Sequence, residues 1–378
     1  MKRLHADVAV IGAGIIGTAI AYQLALAGRR VVVLEGRYPA AGASGACNGG
    51  LNYIGKHPAL FGPAVDSLHR YRTLAAELQA KLDCCQGLPV IYACRGPTEL
   101  AAVEPLVQLC RDWGLDAHLV SGAAVRELEP LLSPQVTGAA VADGGLQGVV
   151  DPFAVTRAFL RAALALGAAF HRGEALALST AGGKVAGVAG DSWEVSCPCV
   201  VVANGAQAPE LVPELPVAPC KGIVLVTERT KLKVNGCILS AAYLAAEHAG
   251  SDPGHTALGL AVEQAASGNI LIGSSRAMGD GGRAVTPGIP EALAANAVTY
   301  MPALAKLQVI RIFTGVRART PDNLPLIGPV GPDGLYAAAG FEGVGITLAP
   351  WAGAYLAGVV SGSLRPDPAL AADRFTGR

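Results

Sequence analysis

Six residues near the N-terminus, Gly12-Ala13-Gly14-Ile15-Ile16-Gly17, and an acid after the next strand, Glu35, have the types and spacing to hold a dinucleotide. Gly12 allows a tight turn, Gly14 lets the backbone approach a pyrophosphate, and Gly17 lets the following helix pack closely on the strand. Ile15 and Ile16 open that helix, whose free N–H groups and positive dipole end face the phosphates. Glu35, followed by Gly36, can accept hydrogen bonds from a ribose diol. A lone GxGxxG is a weak signal. Here an apolar strand (Val8 to Ile11), the loop, a helix, a second strand (Val31 to Leu34) and the acid fall in order, and the signal is specific.

The elements around these residues must be a βαβ unit. Residues 8–28 carry no charge and follow Lys2 and Arg3, so they could mimic a signal peptide or a membrane span. Three glycines at fixed spacing with Tyr22 and Gln23 suit a lipid-facing helix poorly, and Val31–Glu35 continues the βαβ pattern. At 378 residues, two intimately packed domains are expected. Apolar residues form 52% and charged ones 15%, which implies much buried sheet and a sizeable partner interface. With 29 basic and 29 acidic residues there is no electrostatic footprint for nucleic acid. Nine cysteines without a CxxC pair read as reduced thiols in the cytoplasm. Cys197 and Cys199 begin an apolar strand and read as buried thiols rather than metal ligands, so no metal is expected.

Further along, the small-residue loop Gly42–Gly50, with Ser44, Asn48 and Gly49, implies close approach of a ligand. Helical periodicity covers 62–82 and 97–113. Segment 115–150 reads as strands and turns, and Asp151-Pro152 opens a helix to about Leu166. Strands follow at Glu174–Leu178 and Val185–Val188, around a Gly182-Gly183 hairpin turn. The strand Val200–Ala203 leads into Asn204-Gly205-Ala206, as a parallel strand facing a ligand would. Within 217–275 the stretches Lys221–Thr227, Thr256–Val262 and Asn269–Ser274 alternate with period two and suit an antiparallel sheet. A helix is expected over 290–305, strands at Val309–Thr314 and Leu335–Ala338, and a helix from Ile346 to Ser361 after Gly340-Phe341-Glu342-Gly343-Val344-Gly345. A glycine loop thus opens a helix at each end of the chain. Two helix N-termini converging on one elongated ligand suit a flavin dinucleotide better than a nicotinamide one, although spacing alone does not separate them.

On these residues the chain resembles the D-amino-acid-oxidase-like flavoproteins, the group of glycine oxidase, sarcosine oxidases and the flavin subunits of bacterial proline or hydroxyproline dehydrogenases. The carrying stretches are Gly12–Gly17 with Glu35, Gly42–Gly50, Asp151-Pro152, Val202–Ala206, Gly315–Asp322 with Pro325–Pro329, and Ala339–Pro350. The stretch Gly259–Gln264 with Ser267-Gly268-Asn269 looks most like the D-hydroxyproline or proline dehydrogenase subunits. The resemblance implies an α/β fold: a Rossmann-type FAD-binding domain (1–80, 148–215 and 312–378) and a mostly antiparallel α+β substrate domain (81–147 and 216–311). It implies FAD with adenine and ribose near Glu35 and Ala175, and pyrophosphate over Gly12–Gly17 and Ser44, with Ala203 and Gly205 alongside. The flavin ring would rest against Asn48–Gly50 and the turn Gly343–Thr347, including Val344, Gly345 and Ile346. The cysteine that carries flavin covalently in monomeric sarcosine oxidases would fall at Gly315, so FAD is expected to be non-covalent.

Arg317 is the expected substrate anchor, because the arginine of the same Gly-x-Arg grips a carboxylate in glycine-oxidase-like members and a guanidinium fork suits that group bidentately. The plainer alternative is that Arg317 or Arg319 pairs with Asp322. Asn48, Tyr243 and Gly343 complete the expected substrate pocket. At Gly343 a second substrate-contacting arginine is missing, which leaves more room. The implied reaction is oxidation of a C–N bond beside a carboxylate, with electrons passing to partner oxidoreductase subunits. Rival readings are a stand-alone oxidase making hydrogen peroxide, a 2-hydroxy acid dehydrogenase lacking a visible base, and a non-catalytic FAD-holding subunit. His57, His248, His255 and Tyr53 are proton-transfer candidates by type only. No transmembrane segment is expected, and peripheral membrane association stays open.

Overall fold

The computed structural model describes residues 2–248 and 256–375, the side chains of 245–248 excepted. His255 and the side chain of His248 therefore lie outside the described residues.

A six-stranded sheet runs in the order Ala169–Arg172, Val31–Glu35, Val8–Ile11, Val200–Val202, Leu335–Ala339, Leu326–Pro329. The first five strands are parallel and the last is antiparallel. Val8–Ile11, Val200–Val202 and the first four residues of Val31–Glu35 are buried on both faces, which is why they read as unbroken apolar runs. The helix Ile15–Leu26 is buried on nearly every side, so it lacks a polar face. It crosses the last helix, Gly345–Ser361, closely: a Cβ on Gly353 would stand 2.8 Å from the Ala19 carbonyl oxygen. The helix Pro152–Ala165 covers another side, its N-terminus capped by Asp151, whose Oδ1 accepts from the amides of Phe153 and Ala154 at 2.8 and 2.9 Å.

An eight-stranded sheet forms the second body, in the order Val309–Arg319, Ala218–Arg229, Asn269–Met278, Thr256–Gln264, Cys237–Ser240, Val90–Cys94, Gly138–Ala142, Ala117–Ser121. It is antiparallel except where Cys237–Ser240 meets Val90–Cys94. One face is closed by the helix Ile289–Tyr300 through Leu293, Ala297 and Tyr300. The strand Val309–Arg319 pairs with Ala218–Arg229 along nearly its whole length. The expected boundary at 311–312 therefore cuts a strand that belongs to this sheet, because the register continues across it. Two short helices add to the expected elements: Ala123–Leu128 among the strands and turns of 115–150, and Ala241–His248 between the period-two stretches of 217–275. Both are too short to establish a helical period against an apolar background. The strand placed at Glu174–Leu178 runs instead from Ala177 to Ala181, opposite Lys184–Ala189 across the Gly182-Gly183 turn, where both glycines have positive φ.

Candidate functional site

One elongated cavity of about 790 Å³ lies between the two sheets. At one end the chain leaves Val8–Ile11 through Gly12, whose φ is +105°. A Cβ there would stand 2.5 Å from the Ala203 carbonyl oxygen, and one on Gly17 would stand 2.0 Å from the Gly12 carbonyl oxygen. Both positions thus require glycine for backbone approach. Gly17 does not line the cavity; it seats the helix on the loop. Ser44 Oγ accepts from the Ile15 amide at 2.9 Å, tying the second loop to the helix N-terminus. Glu35 accepts from the amides of Ala13 (3.0 Å) and Arg37 (2.9 Å), so its carboxylate also braces the glycine turn. Gly36, Ala175, Ala203 and Gly205 complete this end, with Gly12, Gly14, Ile15, Ile16 and Glu35.

The other end collects Asn48, Gly49, Gly50, Tyr243, Arg317, Gly343, Gly345 and Ile346. Val344 and Thr347 stand apart from this wall. Val344 is buried, and Thr347 donates its hydroxyl to the Gly50 carbonyl at 3.3 Å. Arg317 comes from the eight-stranded sheet and Gly343 from the turn before the last helix. Gly222, opposite Gly315 in the register, leaves room for the guanidinium: a Cβ at position 222 would stand 2.3 Å from Arg317 Nη1. That Nη1 donates to the Ser275 carbonyl at 3.0 Å.

Two residues that sequence reasoning left without a role organise this end. Arg276, 2% exposed, donates through Nε and Nη2 to Glu342 at 3.1 and 3.3 Å. Its Nη2 also donates to the Tyr243 hydroxyl at 3.3 Å, and its guanidinium lies 4.7 Å from the Tyr243 ring centroid. Arg317 Nε stands 3.8 Å from the same carboxylate. Burial alone would raise the Glu342 pKa, but the two guanidiniums outweigh it and hold the group down at about 2. Glu342 also has a φ of +45° inside a glycine turn. An acid in that turn and an arginine within an apolar strand were the legible signals. Glu342 thus stands between two guanidiniums beside the cavity. A Cβ on Gly343 would lie 3.8 Å from both Arg276 Nη2 and Arg317 Nε, in ordinary contact with the two guanidiniums, so the glycine leaves about one methyl group of room beside them.

Asp322 pairs with neither Arg317 nor Arg319. It accepts from Arg374 Nε and Nη2 at 2.8 and 2.9 Å, while Arg319 donates to Asn323 Oδ1 at 2.9 Å. His57 is a helix cap: its Nδ1 accepts from the Ala59 amide at 3.2 Å. Tyr53 is buried and donates to the Asp116 carbonyl at 3.1 Å, away from the cavity. Burial pushes the thiols of Cys197 and Cys199 up to about 11 and about 12. No group of three His, Cys, Asp or Glu among the described residues could hold a metal ion.

Of the eight side-chain polar atoms buried without a hydrogen-bond partner among the described residues, four belong to residues of the cavity wall: Asn52 Oδ1, Asn204 Oδ1, Glu263 Oε2 and Ser274 Oγ. Such atoms mark where a polar ligand completes the bonding.

A six-stranded and an eight-stranded sheet enclosing a cavity of this length, with a glycine turn at one end and Arg317 at the other, make the fold of a dinucleotide-dependent oxidoreductase. The chain belongs to the family of D-amino-acid-oxidase-type FAD dependent oxidoreductases, whose model matches residues 7–359. It is 29% identical to glycine oxidase of Bacillus subtilis (strain 168), over 95% of this chain and 94% of that one. It is 28% identical to hydrogen cyanide synthase subunit HcnC of Pseudomonas protegens, over 96% and 94%. In fold it resembles L-proline dehydrogenase from P.horikoshii, with a TM-score of 0.88, 23% identity, and 100% and 99% of the two chains covered.

The residues fit FAD. The glycine turn and helix N-terminus suit the pyrophosphate, Glu35 the ribose, and the unpaired wall atoms a polar ring. A Cβ on Gly315 would stand 2.7 Å from the Ala46 carbonyl oxygen, so a cysteine there would press on the loop. No helix among the described residues is long and apolar enough to cross a membrane.

Proposed function

We propose that the protein oxidises the C–N bond of an amino or imino acid and passes the electrons to a partner subunit. The observation that carries this reading is the charge arrangement of Arg276, Glu342 and Arg317. Glu342 is engaged bidentately by Arg276, so the Arg317 fork faces the cavity with charge to spare for a carboxylate. Gripping the carboxylate holds the neighbouring C–H in one orientation, which supplies much of the rate by positioning. Bound FAD supplies the acceptor for the departing hydride. Tyr243, held by Arg276 through its hydroxyl and ring face, forms a fixed wall beside the substrate, and Asn48 and Gly343 set the remaining shape. A proline- or hydroxyproline-like imino acid fits the room left at Gly343.

The likeness to a subunit of hydrogen cyanide synthase and the 52% apolar composition favour a partnered dehydrogenase. The glycine oxidase relatives favour a second reading, a stand-alone oxidase that makes hydrogen peroxide. The test is anaerobic flavin bleaching against D- and L-amino acids, proline, 4-hydroxyproline, sarcosine, opines and 2-hydroxy acids. Bleaching by an amine with little peroxide in air supports the first reading, and steady peroxide production supports the second. Bleaching by 2-hydroxy acids alone, or by nothing, refutes both.

A further inference from the structure

Glu263 takes no part in the substrate grip described above. It sits on the strand Thr256–Gln264, 4% exposed, and its Oε2 has no hydrogen-bond partner. Its place is the ring end of the cavity. A Cβ on Gly50 would stand 2.4 Å from Glu263 Oε1, so the carboxyl takes the space that a side chain at position 50 would fill. Asn48 Nδ2 donates to the carbonyl of Ala261, two residues before Glu263, at 3.5 Å, so loop and strand lie side by side there. Glu263, Asn48 and Arg317 line the same cavity.

The wall therefore carries a guanidinium and a carboxyl group at the same end, which is the charge pattern of an amino acid zwitterion. Resting on the amino acid reading, we propose that Glu263 accepts the proton from the substrate's ammonium nitrogen. In that step an N–H bond breaks and an O–H bond forms on Glu263. The electron pair of the broken bond stays on nitrogen as the lone pair that assists hydride departure. The carboxylate becomes a neutral acid, and it returns its proton to water after turnover. A 2-hydroxy acid presents no ammonium to this group.

The surroundings tune Glu263 for this work. Burial pushes its pKa up to about 7, against a smaller opposing pull from Lys56. Burial raises the thiols of Cys47 and Cys237, that of Cys47 to about 12, and the charge of Glu263 adds to both shifts, so they stay neutral around pH 7. A base works best when its pKa matches the working pH.

The test compares wild type, Glu263→Gln and Lys56→Met as FAD-loaded enzymes, with the amine that bleaches wild type fastest. Wild-type anaerobic bleaching is expected to rise with pH through a transition near 7, and Glu263→Gln to lose roughly 10²–10⁴-fold at neutral pH along with that transition. Without substrate, the absorption spectrum of the bound flavin is expected to titrate near neutrality in wild type and not in Glu263→Gln. Lys56→Met, which removes a nearby positive charge, should move both transitions to higher pH. That variant decides the matter if Glu263→Gln fails to retain FAD. Unchanged transitions in both variants, or a wild-type spectrum that does not titrate, overturn the assignment while leaving the amino acid reading intact. A wild type bleached by no amine overturns both.

Discussion

Replacing Arg317 by alanine removes the guanidinium fork from the cavity wall, and the structure sets the size of the effect. The guanidinium is bonded to the Ser275 carbonyl at 3.0 Å and lies 3.8 Å from Glu342, with 17% of its side chain exposed. At 3.8 Å, a pair of unit charges in surroundings of intermediate dielectric attract by about 4 kcal/mol. Glu342 keeps its bidentate partner Arg276, so the fold should survive the loss. The substrate carboxylate has no such substitute, since Arg276 is already committed to Glu342. Losing a partly buried, charge-assisted bidentate pair costs on the order of 3–5 kcal/mol, or roughly 10²–10³-fold or more in kcat/KM. Arg317→Lys restores the charge without the planar fork and should recover only part of that loss. The assay is stopped-flow flavin bleaching under anaerobic conditions, with bound FAD measured by absorbance. Near-normal bleaching by Arg317→Ala with full FAD content would refute the assignment of Arg317 as the carboxylate anchor.

Three further outcomes can be checked on stability and cofactor content. Glu342→Gln leaves Arg276 buried beside a neutral amide and should destabilise the protein by about 3–5 kcal/mol in denaturant unfolding at neutral pH. Because the folded-state pKa of Glu342 is lowered from 4.5 to about 2, its stabilising contribution is full above pH 4.5 and disappears as the pH falls towards 2. The wild-type advantage over Glu342→Gln should shrink over that window, and an advantage independent of pH would contradict the pairing. Gly17→Ala drives a methyl group to 2.0 Å from the Gly12 carbonyl oxygen and should yield colourless protein, as judged by flavin absorbance after purification. Asp151→Ala removes a helix cap outside the cavity and should cost about 1 kcal/mol of stability with unchanged FAD affinity by fluorescence titration.

Much of the nucleotide end was legible because its rules are local. Gly12, Gly14 and Gly17 act through backbone approach, and the strand–loop–helix–strand order keeps them within one βαβ unit. The same holds for Asp151-Pro152, where the cap is two residues from the amides it satisfies. The helix Ala241–His248 was hidden because eight residues give barely two turns of periodicity within a sheet-forming stretch. Val344 and Thr347 share the turn of Gly343, Gly345 and Ile346 yet do not line the cavity, since helical geometry sends neighbouring side chains in different directions.

By itself the amino-acid sequence determined the family, the dinucleotide loop, the acid at the end of the second strand and the presence of an arginine at position 317. Only the tertiary structure decided which charges meet. Arg276, Arg317 and Glu342 come from two strands and a turn far apart in the chain, and Asp322 proves to be the partner of Arg374. Glu263 reaches the cavity only because Gly50, more than two hundred positions away, leaves the space its carboxyl fills. Electrostatic pairing depends on distances of a few ångströms between remote segments, and linear spacing does not encode those distances.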